Sequence, residues 1–365
     1  MNLNDIKFSG SDGGGFLFCD GGCPLNIGYT DGVQYNYIMP QKDEKILGYT
    51  YGYMANRGEY RTPQGIKSQN LLYELNNNWV CLAIANYQKH FYSTEIYSDF
   101  LRTPTDRDIE AFVNYAHKNN VKVCLKPMVN CEDNMWRAHI SFPDLNMDET
   151  DIYWKKWFDS YKHYILHYAE LAEELKCEMF CIGCEMTGTE HRKYEWLYLI
   201  EEIRKIYSGK IVYNTNHDSE ENIEWFDALD YIGTSAYYPV GENGITKESM
   251  KIEWNKIKER LNKISNRVNK KYIFMEIGCR SAKDCSKHPW DFSDKAAPFD
   301  ENEQALFYSS CLETFMNEDN FAGVFWWDWP TYVYNTKEEA KNDNGFCIHL
   351  KKAEDVVKNF YKRYR

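Results

Sequence analysis

Short apolar runs recur along the chain near residues 46–53, 79–86, 121–129, 179–184, 210–215, 231–237, 272–277 and 322–328. Each is bounded by polar sequence, the pattern of a strand buried on both faces, as in a parallel sheet. Between the runs, apolar residues fall three and four apart, the spacing of a helix with one buried face. Ile109, Phe112, Val113 and Ala116 mark such a face, and Thr103-Pro104 reads as the cap and first residue of that helix. Phe158, Tyr161, Ile165, Tyr168, Ala172 and Leu175 outline another, leading into the fourth strand. Residues 191–207, 247–268, 300–318 and 351–364 read similarly. Eight strands alternating with helices predict an α/β fold, a (β/α)8 TIM barrel in preference to a doubly wound sheet.

Residues 1–44 break this rhythm. They are rich in glycine and asparagine, with Gly13-Gly14-Gly15 and Gly21-Gly22 as turn signals, and read as an N-terminal extension, irregular or a short hairpin. One expectation is that this extension packs against the barrel or closes one end of its cleft. No repeat, linker or low-complexity tract divides residues 45–365, and one barrel with insertions fills that length.

A net charge of -12 argues against nucleic acid and anionic membrane as partners, since both need a basic surface. The 29 Tyr, 19 Phe and 11 Trp pack a core, and such rings also suit the apolar faces of sugars. The opening MNLNDIKFSG lacks the basic and apolar regions of a secretory signal. No apolar run approaches the roughly 20 residues needed to span a bilayer. Several of the 12 cysteines fall inside or beside predicted elements (Cys81, Cys124, Cys181, Cys279, Cys311), as reduced, buried thiols in a cytoplasmic protein would.

Two of the strands carry the chemistry. MFCIGCEM (179–186) and YIFMEIGC (272–279) are apolar except for one glutamate each, Glu185 and Glu276. Burying a carboxylate is costly, and the C-terminal ends of barrel strands are where α/β barrels build active sites. Two such glutamates, ending strands four and seven, match the paired carboxyls that glycosidases set on either side of a sugar bond. The competing reading makes each a member of a buried ion pair.

In order along the chain, GYTYGYMANRGEY (48–60), NNWVCLAIANYQ (77–88), KPMVNCEDNMWRAHISF (126–142), HYAELAEELKCEMFCIGCEM (167–186), LDYIGTSAYYP (229–239), EIGCRS (276–281), GVFWWDW (323–329) and AEDVVKNFY (353–361) resemble segments of the glycoside hydrolase family 113 β-mannanases, members of the large clan A of retaining barrels. The resemblance runs from about Ile46 to the C-terminus. It implies that Glu185 is the general acid/base and Glu276 the nucleophile of a retaining enzyme that cleaves β-1,4-mannosidic bonds in manno-oligosaccharides or mannan. It also implies a donor from Tyr237 to the nucleophile, and Trp327 or Trp329 as the platform under the reacting sugar. Strand alternation puts those two tryptophans on one face, with Trp326 and Asp328 on the other. Two departures stand out. Much of the clan has Asn before the acid/base where this chain has Cys184, a departure that family 113 shares. After strand five the family tends toward Asn-Trp, and this chain has Asn216-His217, which implies an altered substrate subsite.

Further candidates for sugar contact are Arg57 in the first loop, Trp136 and Arg137 in the third, and Trp290 after strand seven. His163 and His167 read as the outer face of a helix rather than a metal clip. Cys181 and Cys184, three apart on a strand, should point to opposite faces and share no ion. Cys19 and Cys23 lack a second ligand pair nearby, and Gly10–Gly15 lacks the context of a phosphate loop. The chemistry requires no metal or organic cofactor. Alternatives are a retaining enzyme acting on gluco- or glucomanno-oligosaccharides, and a barrel that binds carbohydrate without turnover. A metal-dependent hydrolase would need ligand clusters at several strand ends, where His217 is the only histidine.

Overall fold

The computed structural model describes residues 29–30, 33–34, 44–144 and 151–364. The chain divides into two units, Met1–Glu44 and Lys45–Arg365. In the first, Tyr29–Thr30 pairs antiparallel with Val33–Gln34; Gly10–Gly15, Cys19 and Cys23 lie outside the described residues. The second unit is a barrel of eight strands: β1 (Ile46–Tyr51), β2 (Trp79–Gln88), β3 (Lys122–Cys131), β4 (Met179–Cys184), β5 (Lys210–Asn216), β6 (Tyr231–Ser235), β7 (Tyr272–Ile277) and β8 (Phe321–Trp329). Every neighbouring pair is parallel, and β8 closes onto β1, so the doubly wound alternative falls away. Helices α1 (Pro63–Tyr73), α2 (Asp106–Lys118), α3 (Ile152–Glu174), α4 (Lys193–Arg204), α5 (Lys247–Val268), α6 (Glu301–Phe315), the short α7 (Lys337–Lys341) and α8 (Lys352–Tyr364) complete the fold.

All eight strands fall where the apolar runs predict them, whereas α1 carries no such signal. Its sequence PQGIKSQNLLY buries Gly65, Ser68, Gln69 and Leu72, so its inner face is mostly polar. Thr62 caps it, accepting from Gly65 N–H, with Pro63 in the first turn. The start of α2 also differs from the Thr103-Pro104 expectation. Thr105 is the cap and forms a reciprocal capping box with Asp108, while Thr103 Oγ1 donates to the carbonyl of Ala85 at 2.9 Å.

Alternation along each strand builds two apolar layers. Outward residues such as Leu47, Leu82, Leu125, Phe180 and Phe274 pack under the helices. Inward residues, among them Trp79, Cys124, Met179, Met275 and Phe325, fill the barrel. Gly48 permits this filling: a Cβ there would meet the Phe325 ring at 2.3 Å. Above this plug, Ala83, Met128 and Cys184 form a smaller cluster with Tyr53 and Trp327, and the polar site is built upon it. Among the described residues, no helix is long and apolar enough to cross a membrane.

Candidate active site

The end of β4 is deformed in a way that aims Glu185. Pairing between β3 and β4 covers only Cys124↔Met179 and Leu125↔Phe180, and Pro127 beyond offers no N–H to extend it. On the other side, the register to β5 shifts between Cys181 and Cys184. Gly183 sits in this bulge, where a Cβ would come within 2.7 Å of the Tyr213 ring. The shift corrects the expectation for the two cysteines: both face the barrel interior, Cys181 in the plug and Cys184 in the layer above. Glu185 then adopts a left-handed backbone with φ of 53°, and its N–H donates to the Asn214 carbonyl at 2.7 Å. That conformation costs a non-glycine residue about 1–2 kcal/mol.

Glu276 and Glu185 lie in contrasting surroundings, although both are nearly buried at 3% and 7% exposure. Four donors surround Glu276. Its Oε1 accepts from Lys126 Nζ at 2.5 Å, Cys184 Sγ at 3.3 Å and Asn214 Nδ2 at 3.3 Å. Its Oε2 accepts from the Tyr237 hydroxyl at 3.2 Å. Burial works against the charge on Lys126, and the adjacent Cys184 and Glu276 outweigh it and raise its pKa. Burial, reinforced by Glu276, likewise keeps the Tyr237 hydroxyl protonated, and burial pushes the Cys184 thiol up. All three are therefore donors at neutral pH.

Glu185 has fewer close partners. Its Oε2 accepts from Arg137 Nη1 at 3.0 Å and Trp136 Nε1 at 3.2 Å. Burial first, and the charge of Glu276 second, raise its pKa above the usual glutamate value, with Arg137 opposing them. The arrangement thus surrounds one carboxyl with donors and favours the proton on the other, the division of labour that paired-carboxyl chemistry needs.

Around this pair, Arg137 is held by the Val129 carbonyl at 3.0 Å, by Asn130 Oδ1 at 2.5 Å and by the Tyr53 hydroxyl at 3.2 Å. The Tyr53 ring lies 4.7 Å from Trp327, so two aromatic faces stand beside the carboxyls. Trp136 remains 48% exposed while its N–H reaches Glu185, leaving much of its ring open to solvent. Asn216 is buried and donates to Thr187 Oγ1 at 2.7 Å. The His217 ring stacks on the half-exposed Trp290 at 5.3 Å, and burial lowers its pKa, which favours a neutral imidazole.

Two candidates lie elsewhere. Trp329 is fully buried in the outer layer, its Nε1 donating to the Ser68 carbonyl at 3.1 Å and its ring edge-on to Tyr49. Alternation does not hold between Trp327 and Trp329, because the register to β1 shifts between Trp326 and Trp329, where the Trp327–Asp328 peptide is cis. Trp326 and Trp329 both face outward, and Trp327 alone of the three faces the site. Arg57 is exposed, with its guanidinium 4.2 Å from the Phe100 ring rather than beside either carboxyl. Of the two arginines, Arg137 is the one bonded to a carboxyl of the pair, at Glu185. His163 and His167 lie on the outer face of α3, bonded to the Asp159 carbonyl and to Asp106. Among the described residues, no three His, Cys, Asp or Glu side chains converge as a metal site.

Lys126, Asn214, Asn130 and Tyr53 were not among the sequence candidates. A signal existed for the first two: Lys126 interrupts the apolar run VCLKPMV on the face of Cys124 and Met128, and Asn214 interrupts IVYNTN.

The family model described as Glycoside Hydrolase Family 113 matches residues 49–351. Among solved structures, a GH113 β-1,4-mannanase is 33% identical, with a TM-score of 0.80, covering 87% of this chain and 99% of that one. The GH113 β-mannanase AaManA from Alicyclobacillus acidocaldarius, in complex with ManMIm, is 34% identical, with a TM-score of 0.80, covering 88% and 98% of the two chains. A β-glucuronidase from Faecalibacterium prausnitzii shares the fold at 12% identity and a TM-score of 0.56, over 90% of this chain and 50% of that one. No curated protein sequence gives a match.

Proposed function

The chain belongs to glycoside hydrolase family 113 and so acts on O-glycosyl bonds, and from this premise we propose that it hydrolyses β-1,4-mannosidic bonds in manno-oligosaccharides or mannan with retention of configuration. The mannan substrate is that of the two mannanases it resembles. The observation that carries the mechanism is the contrast between the two carboxyls, one ringed by four donors and one raised in pKa by burial.

In the first step Glu276 attacks the anomeric carbon as the bond to the departing oxygen breaks, and Glu185 gives that oxygen its proton. Three donors occupy Oε1 of Glu276 and only Tyr237 occupies Oε2, so Oε2 is the attacking atom. In the second step Glu185, now a carboxylate, takes a proton from water. The resulting hydroxyl displaces Glu276 and restores both groups. Charge develops on the sugar while Glu276 loses its own, and the fixed donors follow that change without reorganising. Trp327 and Tyr53 flank the reacting sugar, Trp136 covers it beside Glu185, and His217 with Trp290 forms a platform farther along the chain.

The test is hydrolysis of mannohexaose, with cellohexaose alongside, by wild type and Glu276→Ala, with the first-formed anomer read by proton NMR. Cleavage of the manno-oligomer with the β-anomer formed first, lost on substitution, is the expected result. The α-anomer first would refute retention, and cleavage of cellohexaose alone would refute the mannan assignment.

A further inference from the structure

A second groove, of about 400 Å³, opens on the outside of the barrel between α3 and α4. Phe158 and Leu199 contribute its apolar part. Asp151 and Arg192, the residues preceding the two helices, both line it, so it opens at the end of the barrel where Glu185 sits. None of its lining residues belongs to the site around Glu185 and Glu276.

Its chemistry is distinctive in two respects. Tyr194 and Tyr198 line it from α4, and they are 84% and 51% exposed. Four residues apart on a helix, they share one face with an offset of about 6 Å along the axis. That offset is comparable with the length of one pyranose unit in a β-1,4-linked chain. The charges around them cancel: Asp151, Asp159 and Glu195 face Lys155, Lys162 and Arg192. Arg192 Nη2 pairs with Asp151 at 3.1 Å and also with Glu195, and the Lys162 ammonium lies 5.3 Å from the Tyr198 ring centre. A phosphate or nucleic acid would call for a net positive groove, and an amphipathic peptide for a continuous apolar stripe. A neutral wall rich in donors and acceptors, with two exposed tyrosine rings, fits an uncharged polyhydroxylated chain.

We propose that this groove is a second carbohydrate-binding site, for the backbone of polymeric β-1,4-mannan, with Tyr194 and Tyr198 as its stacking surface. The choice of polymer rests on the substrate reading above. The site holds long chains near the cleft and takes no part in bond cleavage.

Native electrophoresis through gels containing soluble galactomannan tests it, using the inactive Glu276→Ala protein as parent. Adding Tyr194→Ala and Tyr198→Ala together should weaken retardation several-fold, and replacing both tyrosines with Trp should preserve it. In the active background, the double Ala variant should keep wild-type kcat/KM on mannotetraose and lose rate on polymeric mannan. Equal retardation of parent and double Ala variant, or no retardation of the parent, overturns the proposal. Failure of the wild type to cleave mannotetraose would instead strike the enzymatic reading, since the gel reports binding alone.

Discussion

Lys126 Nζ lies 2.5 Å from Glu276 Oε1, an ion pair in which the side chains are 0% and 4% exposed. Buried this deeply, either charge is poorly compensated if the other is removed. Breaking such a pair costs about 3–5 kcal/mol, because one buried charge is left alone. Lys126→Met should therefore lower stability by that order and abolish most activity. Combining it with Glu276→Gln should recover much of the lost stability, since the orphaned charge is gone. Denaturant melts of the four proteins in the cycle check this, and strict additivity would refute the coupling.

Glu185 supplies a pH dependence with a definite sign. Burial and the charge of Glu276 raise its pKa in the folded protein, so kcat/KM falls as pH rises through that raised value. Glu185→Gln should remove this alkaline limb and lower kcat by roughly 10²–10⁴-fold on substrates whose departing group needs a proton. The limb is read for wild type and variant on manno-oligosaccharides, whose departing group needs that proton. Stability has the same sign. The contribution of protonated Glu185 is present at acid pH and is lost as pH rises through the folded value, so Glu185→Gln should gain Tm relative to wild type as pH rises above the ordinary glutamate range.

The two tryptophans of β8 separate function from packing. Trp327→Ala should raise KM and lower kcat in a protein of near-normal stability, because the ring stands in the site beside Tyr53. Trp329→Ala should cost about 3–5 kcal/mol of stability, as expected for a large core truncation, and leave kcat of the folded fraction unchanged. Thermal melts alongside kinetics on mannotetraose distinguish them; the reverse pattern would place the platform at Trp329.

Trp290, stacked on His217 and 43% exposed, should matter only to substrates long enough to reach it. Trp290→Ala should raise KM for mannohexaose about tenfold, the effect of roughly 1.4 kcal/mol, with mannotriose unaffected. An equal loss on both lengths would bring Trp290 into the reacting subsite instead.

The strands and the two glutamates were legible because burial leaves a mark in sequence: an unbroken apolar run, and one charge that has no apolar reason to be there. Lys126 leaves the same mark inside VCLKPMV, and its pairing with Glu276, 150 positions away, is a property of barrel closure that no local pattern contains. Alternation failed at two places for one reason. Between Cys181 and Cys184, and between Trp326 and Trp329, the register shifts, so faces counted by twos come out wrong. Helix α1 escaped notice because its inner face is Ser68 and Gln69, polar residues given partners by Pro330 and Tyr60 far along or just before it. Arg57 and Arg137 both sit in loops over the mouth, and only the folded chain decides which turns inward.

Cys184 carries a consequence for how this enzyme could diversify. Its thiol contacts Glu276 while its backbone continues directly into Glu185, so a single deformed turn of chain ties both reactive carboxyls together. The distance between them is thereby less dependent on the segments that follow β1 and β7, where Tyr53 and Trp290 reside. Those segments can lengthen, shorten or exchange side chains, changing which glycan is accepted, while the two reactive groups keep their spacing.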